Sequence, residues 1–381
     1  MLRITSIFND THVQIVLSIF ISLLIAVTAI PVIINISRLK DLMATIEFRS
    51  SHDELTPTLG GIAIFAATLI TYFIWFIPGE SHELHLVFSA IIILFFLGIK
   101  DDILILSPQK KILIQIAASV LVITLSDLRI VNLFGLLGIH QISYTYSLVL
   151  TIFSILTLIN ALNLIDGIDG LAGMVGLLAS SFFTFIFYQL NENAYAVLAA
   201  SLSGSIIGFL RYNWSIRNKI FMGDTGSLIV GFLISIFAIK YININSTFSL
   251  NPKLDNHAPL FVTSLLLLPL FDTLRMFIIR LYAGKSPFVG DRQHFHHILI
   301  DLGYSHKVAT ILMITGNLLF IVIYLYGLNQ YSINKILAFQ FLTFILYCLL
   351  AKVLSKRNDS TNMNRDTFQK IDKLKRIKKV D

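Results

Sequence analysis

Amides and carboxylates recur at three-residue intervals in Asn160-Ala-Leu-Asn163-Leu-Ile-Asp166-Gly-Ile-Asp169-Gly-Leu-Ala-Gly173. Residues three apart occupy neighbouring parts of one helical face. Gly167 and Gly170 let the backbone turn sharply and approach a ligand closely. An apolar run, Leu148 to Leu164, enters this stretch, and another, Leu177 to Phe187, leaves it. Two acids and two amides therefore stand at the mouth of a hydrophobic hairpin, which is costly unless something polar binds there.

Four more clusters have side chains fit for chemistry. Gly98-Ile-Lys100-Asp101-Asp102 ends an apolar run with adjacent carboxylates. They repel each other; a divalent cation relieves that, and all-oxygen ligation suits Mg²⁺. An acid of the pair left off the metal is placed to act as a base. Gly223-Asp224-Thr225-Gly226-Ser227 leads directly into an apolar run. A carboxylate between glycines at a helix start can ligate a metal while the amides face phosphate oxygens; a simple N-cap gives the same pattern. Asp291-Arg292-Gln-His294-Phe-His296-His297 gathers three imidazoles beside a guanidinium. Zinc would call for ligands of defined geometry, usually with a carboxylate or Cys. A guanidinium prefers phosphate, so an anion site is the expectation. In Arg49-Ser-Ser-His52-Asp-Glu-Leu-Thr56-Pro57-Thr58-Leu-Gly60-Gly61, Pro57 and the glycine pair mark a rigid turn into a helix. Thr56 and the amides at that helix start are expected to meet a phosphate, with Arg49 and His52 adding positive charge.

Composition dictates the scaffold that must hold these groups. The 381 residues are 56% hydrophobic and 13% charged, with 30 Phe and a mean hydropathy of +0.79. A water-soluble globular protein needs far less apolar sequence. Apolar segments long enough to span a bilayer, or nearly so, fall at 13–36, 59–77, 84–99, 111–126, 145–164, 171–189, 194–210, 226–242, 259–280, 308–328 and 333–351. Backbone groups in lipid must be satisfied internally, and the segments do not alternate as barrel strands would. The expectation is an all-α polytopic membrane protein of about 11 transmembrane helices. The apolar run nearest the start is too long for a cleavable signal. Cys348 has no partner for an intramolecular disulfide.

Lys and Arg set the orientation. Placing 37–58, 100–110, 165–170, 211–225, 281–307 and the tail on one side, with the flanking Lys111, Arg275 and Arg280, leaves only Arg3, Arg129, Lys240, Lys253 and Lys335 elsewhere. That side is cytoplasmic by this rule, with the amino terminus outside and the carboxyl terminus inside. Every cluster described above falls on it. A transporter or lipid flippase, the rival from a different class, would instead carry ionisable groups near mid-membrane. The net charge of +7 is concentrated in the tail, which suits an anionic membrane surface rather than nucleic acid. Residues 1–352 read as the membrane domain and 353–381 as a basic cytoplasmic tail. In that tail Phe368, Ile371, Leu374 and Ile377 suggest a short amphipathic helix, with a disordered segment as the alternative. Residues 127–143 suggest a small hairpin on the opposite side, and Asp272 and Arg275, one turn apart, suggest an ion pair.

In order, the motifs are His/Thr-Pro/Gly-Gly, Asp-Asp, Asn-x-x-Asn-x-x-Asp-Gly-x-Asp-Gly, Gly-Asp-Thr-Gly-Ser and His-x-His-His. Over about residues 38–310 this set resembles the polyprenyl-phosphate N-acetylhexosamine-1-phosphate transferase family. The resemblance implies transfer of a sugar phosphate from a UDP-N-acetylhexosamine to undecaprenyl phosphate, with Mg²⁺ or Mn²⁺, releasing UMP. It places the enzyme in the inner (plasma) membrane, with a cytoplasmic active site, at the first membrane step of cell-envelope polysaccharide synthesis. It implies Asp224 as the metal ligand and Asp101, supported by Asp102, as base or covalent nucleophile toward the lipid phosphate. Asn163, Asp166 and Asp169 match nucleotide-site positions, and Asn160 is expected near the metal. Asn213 matches a position where the family often has Asn. Arg292, His294, His296 and His297 match groups for the diphosphate or sugar. Asp53 and Glu54 stand where some members have a basic residue. The form of the histidine motif favours the common-antigen and teichoic-acid branch, and UDP-N-acetylglucosamine, over the phospho-MurNAc-pentapeptide transferase, the alternative within the family. A homodimer is compatible with the sequence.

Overall fold

The computed structural model describes residues 10–40, 42, 56–75, 82–104, 106–244, 257–284, 293–328 and 330–377. His52, Asp291 and Arg292 lie outside the described residues. The helices are α1 (Thr11–Leu39), α2 (Gly60–Ile74), α3 (His82–Leu104), α4 (Pro108–Ser126), α5 (Tyr144–Ile165), α6 (Leu171–Gln189), α7 (Asn193–Asn213), α8 (Gly223–Ile244), α9 (Ala258–Leu265), α10 (Leu267–Tyr282), α11 (Phe295–Asp301), α12 (His306–Leu328) and α13 (Ile333–Ile377). Over its described residues each apolar segment seen in the sequence is mainly helical, that at 259–280 with a break at Leu266. Eight helices among the described residues are long and apolar enough to cross a bilayer, nine if the bent pair α9–α10 forms one span. The protein is an all-α polytopic membrane protein. Strands β1 (Asn132–Leu136) and β2 (Ile139–Gln141) pair antiparallel between α4 and α5, which is the expected hairpin.

Helices α7 and α8 form the shaft of the bundle and are buried along nearly their whole length. Close packing there depends on small residues, since lipid gives helices no hydrophobic reason to associate. A Cβ on Gly204 would lie 2.1 Å from the Ser22 hydroxyl, and one on Gly208 would lie 2.7 Å from Ala26 Cβ. Ser18, Ser22, Ala26, Ile30 and Ile34 supply the facing stripe of α1 at four-residue spacing. Pro31 removes the backbone bond to Val27, and the Tyr212 hydroxyl donates to that carbonyl at 2.9 Å instead. The outer faces carry exposed Phe20, Phe96, Phe153 and Phe341, as a lipid-facing surface should.

Two features aim the site. Helices α9 and α10 meet at 79°. Asn317 on α12 serves both broken ends, accepting from Leu268 N at 3.1 Å and donating to the Leu265 carbonyl at 2.9 Å. At the other feature, α2, α3 and α8 converge through glycines. A Cβ on Gly61 would sit 2.1 Å from Gly226 N, and one on Gly98 would sit 2.3 Å from Thr225 Cα. Backbone cannot yield as a side-chain tip can. Gly61→Ala is therefore expected to cost about 2–3 kcal/mol of stability. Gly316→Ala, where nothing lies within 4 Å, should be nearly silent. Thermal unfolding of the purified pair checks this; equal midpoints would refute the tight three-helix contact.

Candidate active site

The Pro57–Gly61 turn and the segment before α8 run side by side. Phe221 N donates to the Pro57 carbonyl at 2.8 Å, Gly60 N to Phe221 at 3.0 Å and Gly61 N to Met222 at 2.9 Å. The expectation that these helix-start amides meet a phosphate is corrected here: both glycine N–H groups are already committed to carbonyls. Thr56 is buried just before this ladder. The turn serves to fix the loop that delivers Asp224.

The start of α8 is likewise already answered by an anion from within the chain. Asp102 accepts from Asp224 N at 2.7 Å, Thr225 N at 3.1 Å and the Thr225 hydroxyl at 2.6 Å. The first turn of a helix presents just such unpaired N–H groups. Those amides therefore do not face phosphate oxygens, and Asp102, expected to act with Asp101 in the chemistry, is the cap that seats Asp224. Gly223, at φ +70°, brings the chain in closely enough: a Cβ there would lie 2.0 Å from the Thr58 carbonyl. Asp102→Ala is expected to destabilise by about 1–2 kcal/mol and to lower activity in parallel, with Asp102→Asn between it and the parent. An Asn variant of parental melting temperature but no activity would instead make Asp102 a reacting group.

Three of the predicted residues do meet. Asp224 receives Asn163 Nδ2 on Oδ1 at 2.7 Å and Lys111 Nζ on Oδ2 at 2.7 Å. The same Lys111 ammonium contacts Asp101, whose other oxygen accepts Leu106 N at 2.6 Å. Asp101 is buried, while the Lys111 and Asp224 side chains keep 25% and 28% of their surface exposed. The open side of this cup thus belongs to the latter two. Asp166 stands close enough for the Asp224 carboxylate to act on it. Its carboxylate has no hydrogen-bond or ion-pair partner among the described residues. Burial, then the carboxylates of Asp224, Asp102 and Asp169, push its acid well above the ordinary carboxylate range.

Neighbouring residues support rather than line the cup. Asp169 is held by Lys219 Nζ at 2.7 Å and His306 Nδ1 at 3.2 Å. Its carbonyl accepts from Thr310 at 2.9 Å and Trp214 Nε1 at 3.3 Å. It ties the α5–α6 turn to α12 and to the loop after α7. Asn213 donates to the Ile220 carbonyl at 2.8 Å and so braces that loop from within. Asn160, expected near the metal, instead donates to Gln115 at 2.9 Å and to the Leu156 carbonyl at 2.7 Å.

The histidine motif splits into two roles. His294 Nδ1 donates to Asp272 Oδ2 at 2.7 Å, and Asp272 also accepts from Phe295 N at 3.0 Å and the Tyr347 hydroxyl at 3.1 Å. Arg275 completes the expected pair with Asp272 at 3.3 Å. His294 is therefore a buried anchor. His296 is fully buried with neither ring nitrogen hydrogen-bonded, and it packs on the Gly167 turn, where a Cβ would lie 2.4 Å from its Nε2. Burial and the neighbouring His297 hold its pKa well below the usual imidazole range, so it offers the site a neutral ring. His297 is half-buried, with ring centres 4.3 Å from those of His296.

The donor chemistry fits a hard cation. Asp224 and Asp166 offer oxygen only, and the Lys111 ammonium demonstrates that positive charge is welcome between Asp224 and Asp101. Among the described residues no group of three or more His, Cys, Asp or Glu is arranged to hold a metal alone. Two carboxylates fit Mg²⁺, which takes one or two and completes its shell with phosphate and water. Beside the cup lies a groove of about 520 Å³ between α4, α5, α10 and α13, lined by Ile112, Phe153, Leu274, Phe277 and Phe341 with Asn160 in its wall. Ile112 follows Lys111 in the chain and Asn160 lies one helical turn before Asn163, so the two spaces are neighbours.

Sequence reasoning missed Lys111, Lys219, His306 and Asp272 as parts of the site or its frame. Lys111 had a usable signal: it follows Asp101 by ten residues, at the start of an apolar helix, where a lone ammonium must find an acid.

Residues 84–242 match the family described as glycosyl transferase family 4. The undecaprenyl-phosphate alpha-N-acetylglucosaminyl 1-phosphate transferase of Haemophilus influenzae is 30% identical over 339 residues, covering 87% of this chain and 92% of that protein. The protein of the same name from Escherichia coli K12 is 28% identical over 272 residues, 70% of this chain and 71% of its own length. That of Yersinia pestis is 27% identical over 308 residues, 79% and 81% of the two chains. With the cup, the capped α8 and the adjoining groove in hand, the chain belongs to glycosyl transferase family 4, among the undecaprenyl-phosphate alpha-N-acetylglucosaminyl 1-phosphate transferases.

Proposed function

We infer that this protein transfers N-acetylglucosamine 1-phosphate from its UDP-sugar to undecaprenyl phosphate and releases UMP. The observation that carries the reading is the convergence of Asp101, Lys111, Asn163, Asp166 and Asp224 beside an apolar groove. In the reaction a phosphate oxygen of the acceptor bonds to the sugar-bearing phosphorus of the donor. The bond from that phosphorus to the bridging oxygen breaks, and its electron pair leaves with UMP. Both reactants are anions, so charge is the main obstacle.

Lys111 neutralises and orients the acceptor phosphate, while Asp101, held by Leu106 N and Lys111, is the group to accept its proton or attack in its place. Asn163 holds Asp224 in register. Asp224 with Asp166 would hold Mg²⁺, or Mn²⁺, which when bound supplies charge neutralisation at the donor diphosphate. Thr56, His296 and His297, with His52 and Arg292, are proposed to serve the donor's sugar and diphosphate; Asp169, Asn160, Asn213 and His294 hold their surroundings in place. The groove takes the isoprenoid chain. We place the cup on the cytoplasmic side of the inner membrane, in a chain of eleven membrane-spanning segments with the amino terminus outside and residues 353–381 as a basic cytoplasmic tail. The abundance of Lys and Arg at that end supports this sidedness. A homodimer is the proposed assembly.

Purified protein given labelled UDP-N-acetylglucosamine and undecaprenyl phosphate should form a lipid-linked sugar and equimolar UMP. A chelator should abolish this and Mg²⁺ should restore it. Turnover in the chelator, or equal use of UDP-MurNAc-pentapeptide, would overturn the reading.

A further inference from the structure

A second crevice, of about 440 Å³, opens between α10 and α13 at the end of the bundle that carries the acids. It lies on the other flank of α10 from the groove: Leu274 and Phe277 line the groove, whereas Arg275 and Ile279 line the crevice. Its wall is mostly hydrocarbon, with a basic edge. Ile279 and Cys348 form the apolar part, and Arg275, Lys352, Ser355 and Lys356 the polar part. Lys352 and Lys356 are four residues apart, so they share one face of α13, and the apolar run of that helix gives way after Leu354 to Ser-Lys-Arg-Asn-Asp. The cations therefore stand where a bilayer's headgroups begin.

Arg275 is a built part of this site. Its side chain is 6% exposed. One terminal nitrogen donates to Asp272 and to the Gln293 carbonyl, but Nε is buried without a partner. Asp272 is the acid behind it, and its two oxygens are shared with His294, Phe295 N and the Tyr347 hydroxyl. The two exposed ammonium groups, with the Ser355 hydroxyl and the guanidinium beside them, ask for an oxyanion. The hydrocarbon wall continues onto Ile278 and Ile279, each 37% exposed toward lipid.

We propose that this crevice binds the phosphate headgroup of an anionic membrane phospholipid, whose acyl chains lie along Ile278 and Ile279. The lipid bridges α10 to α13 and so braces the Asp272–His294 anchor next to the cup. It is distinct from both reactants, since the isoprenoid groove lies across α10.

The test is native mass spectrometry of the purified full chain titrated with phosphatidylglycerol, phosphatidylcholine or undecaprenyl phosphate. The parent should hold its tightest phosphatidylglycerol at least tenfold more firmly than phosphatidylcholine. Lys352→Ser/Lys356→Ser should erase that preference. Ser355→Trp, which fills the crevice without altering charge, should weaken it similarly. Lys373→Ser/Lys375→Ser, an equal charge change farther along the tail, should leave it intact. The proposal is overturned if the parent shows no preference, if the tail pair matters as much as the crevice pair, if Ser355→Trp has no effect, or if undecaprenyl phosphate displaces phosphatidylglycerol one for one.

Discussion

Asp224→Asn is expected to yield a folded protein that releases UMP slower by on the order of 10³-fold, the scale of losing a principal electrostatic contact to the reacting groups. The carboxylate joins three things: Asn163 on one oxygen, Lys111 on the other, and the capped first turn of α8 beneath. An amide can still accept from Asn163 through its oxygen. It then turns its NH₂ toward the Lys111 ammonium, donor against donor, and contributes no charge to a cation. Fold and donor positioning survive because Asp102 still caps the helix through backbone groups. UMP release, thermal unfolding and Mg²⁺ titration on the same preparation separate the effects. A rate within tenfold of the parent would remove Asp224 from the chemistry.

Lys111→Met should slow turnover by about 10²–10³-fold. Among the described residues Lys111 Nζ pairs with both Asp101 and Asp224, and a quarter of the side chain stays exposed at the open cup. Met keeps the apolar stem at the groove's edge and removes only the charge. The acceptor phosphate then meets two carboxylates with no intervening cation. Lys111→Arg should recover little, because a planar fork does not fit between two single oxygens as a point charge does. The loss is expected chiefly in kcat, since the isoprenoid still binds through hydrocarbon. A change confined to the acceptor KM would make Lys111 a binding group alone.

The sequence made the scaffold plain, because long apolar runs in lipid have one solution. The ordering of motifs also brought Asn163, Asp166 and Asp224 into one site. What it concealed was which polar groups are spent on the protein itself. Asp101 and Asp102 are neighbours with the same side chain, yet one faces a lysine and the other caps α8. Only the three-dimensional approach of α3 to α8, through Gly98 and Gly223, decides that. Likewise the amides of Gly60 and Gly61 looked available until Phe221 and Met222 were found opposite them. His294 and His296 lie two residues apart, but one meets Asp272 on α10 and the other meets Gly167. Such differences arise from long-range pairing, which local spacing does not encode.

The groove between α5, α10 and α13 has one more consequence. Its wall includes Phe153 and Phe341, each 64% exposed on the bundle's flank, so it is open sideways to the bilayer rather than upward to water. An acceptor entering there arrives by two-dimensional diffusion and never leaves the lipid phase. Its effective concentration is then a mole fraction in the membrane. Adding inert lipid at constant total acceptor should dilute it and slow the enzyme, while changing the aqueous volume should not.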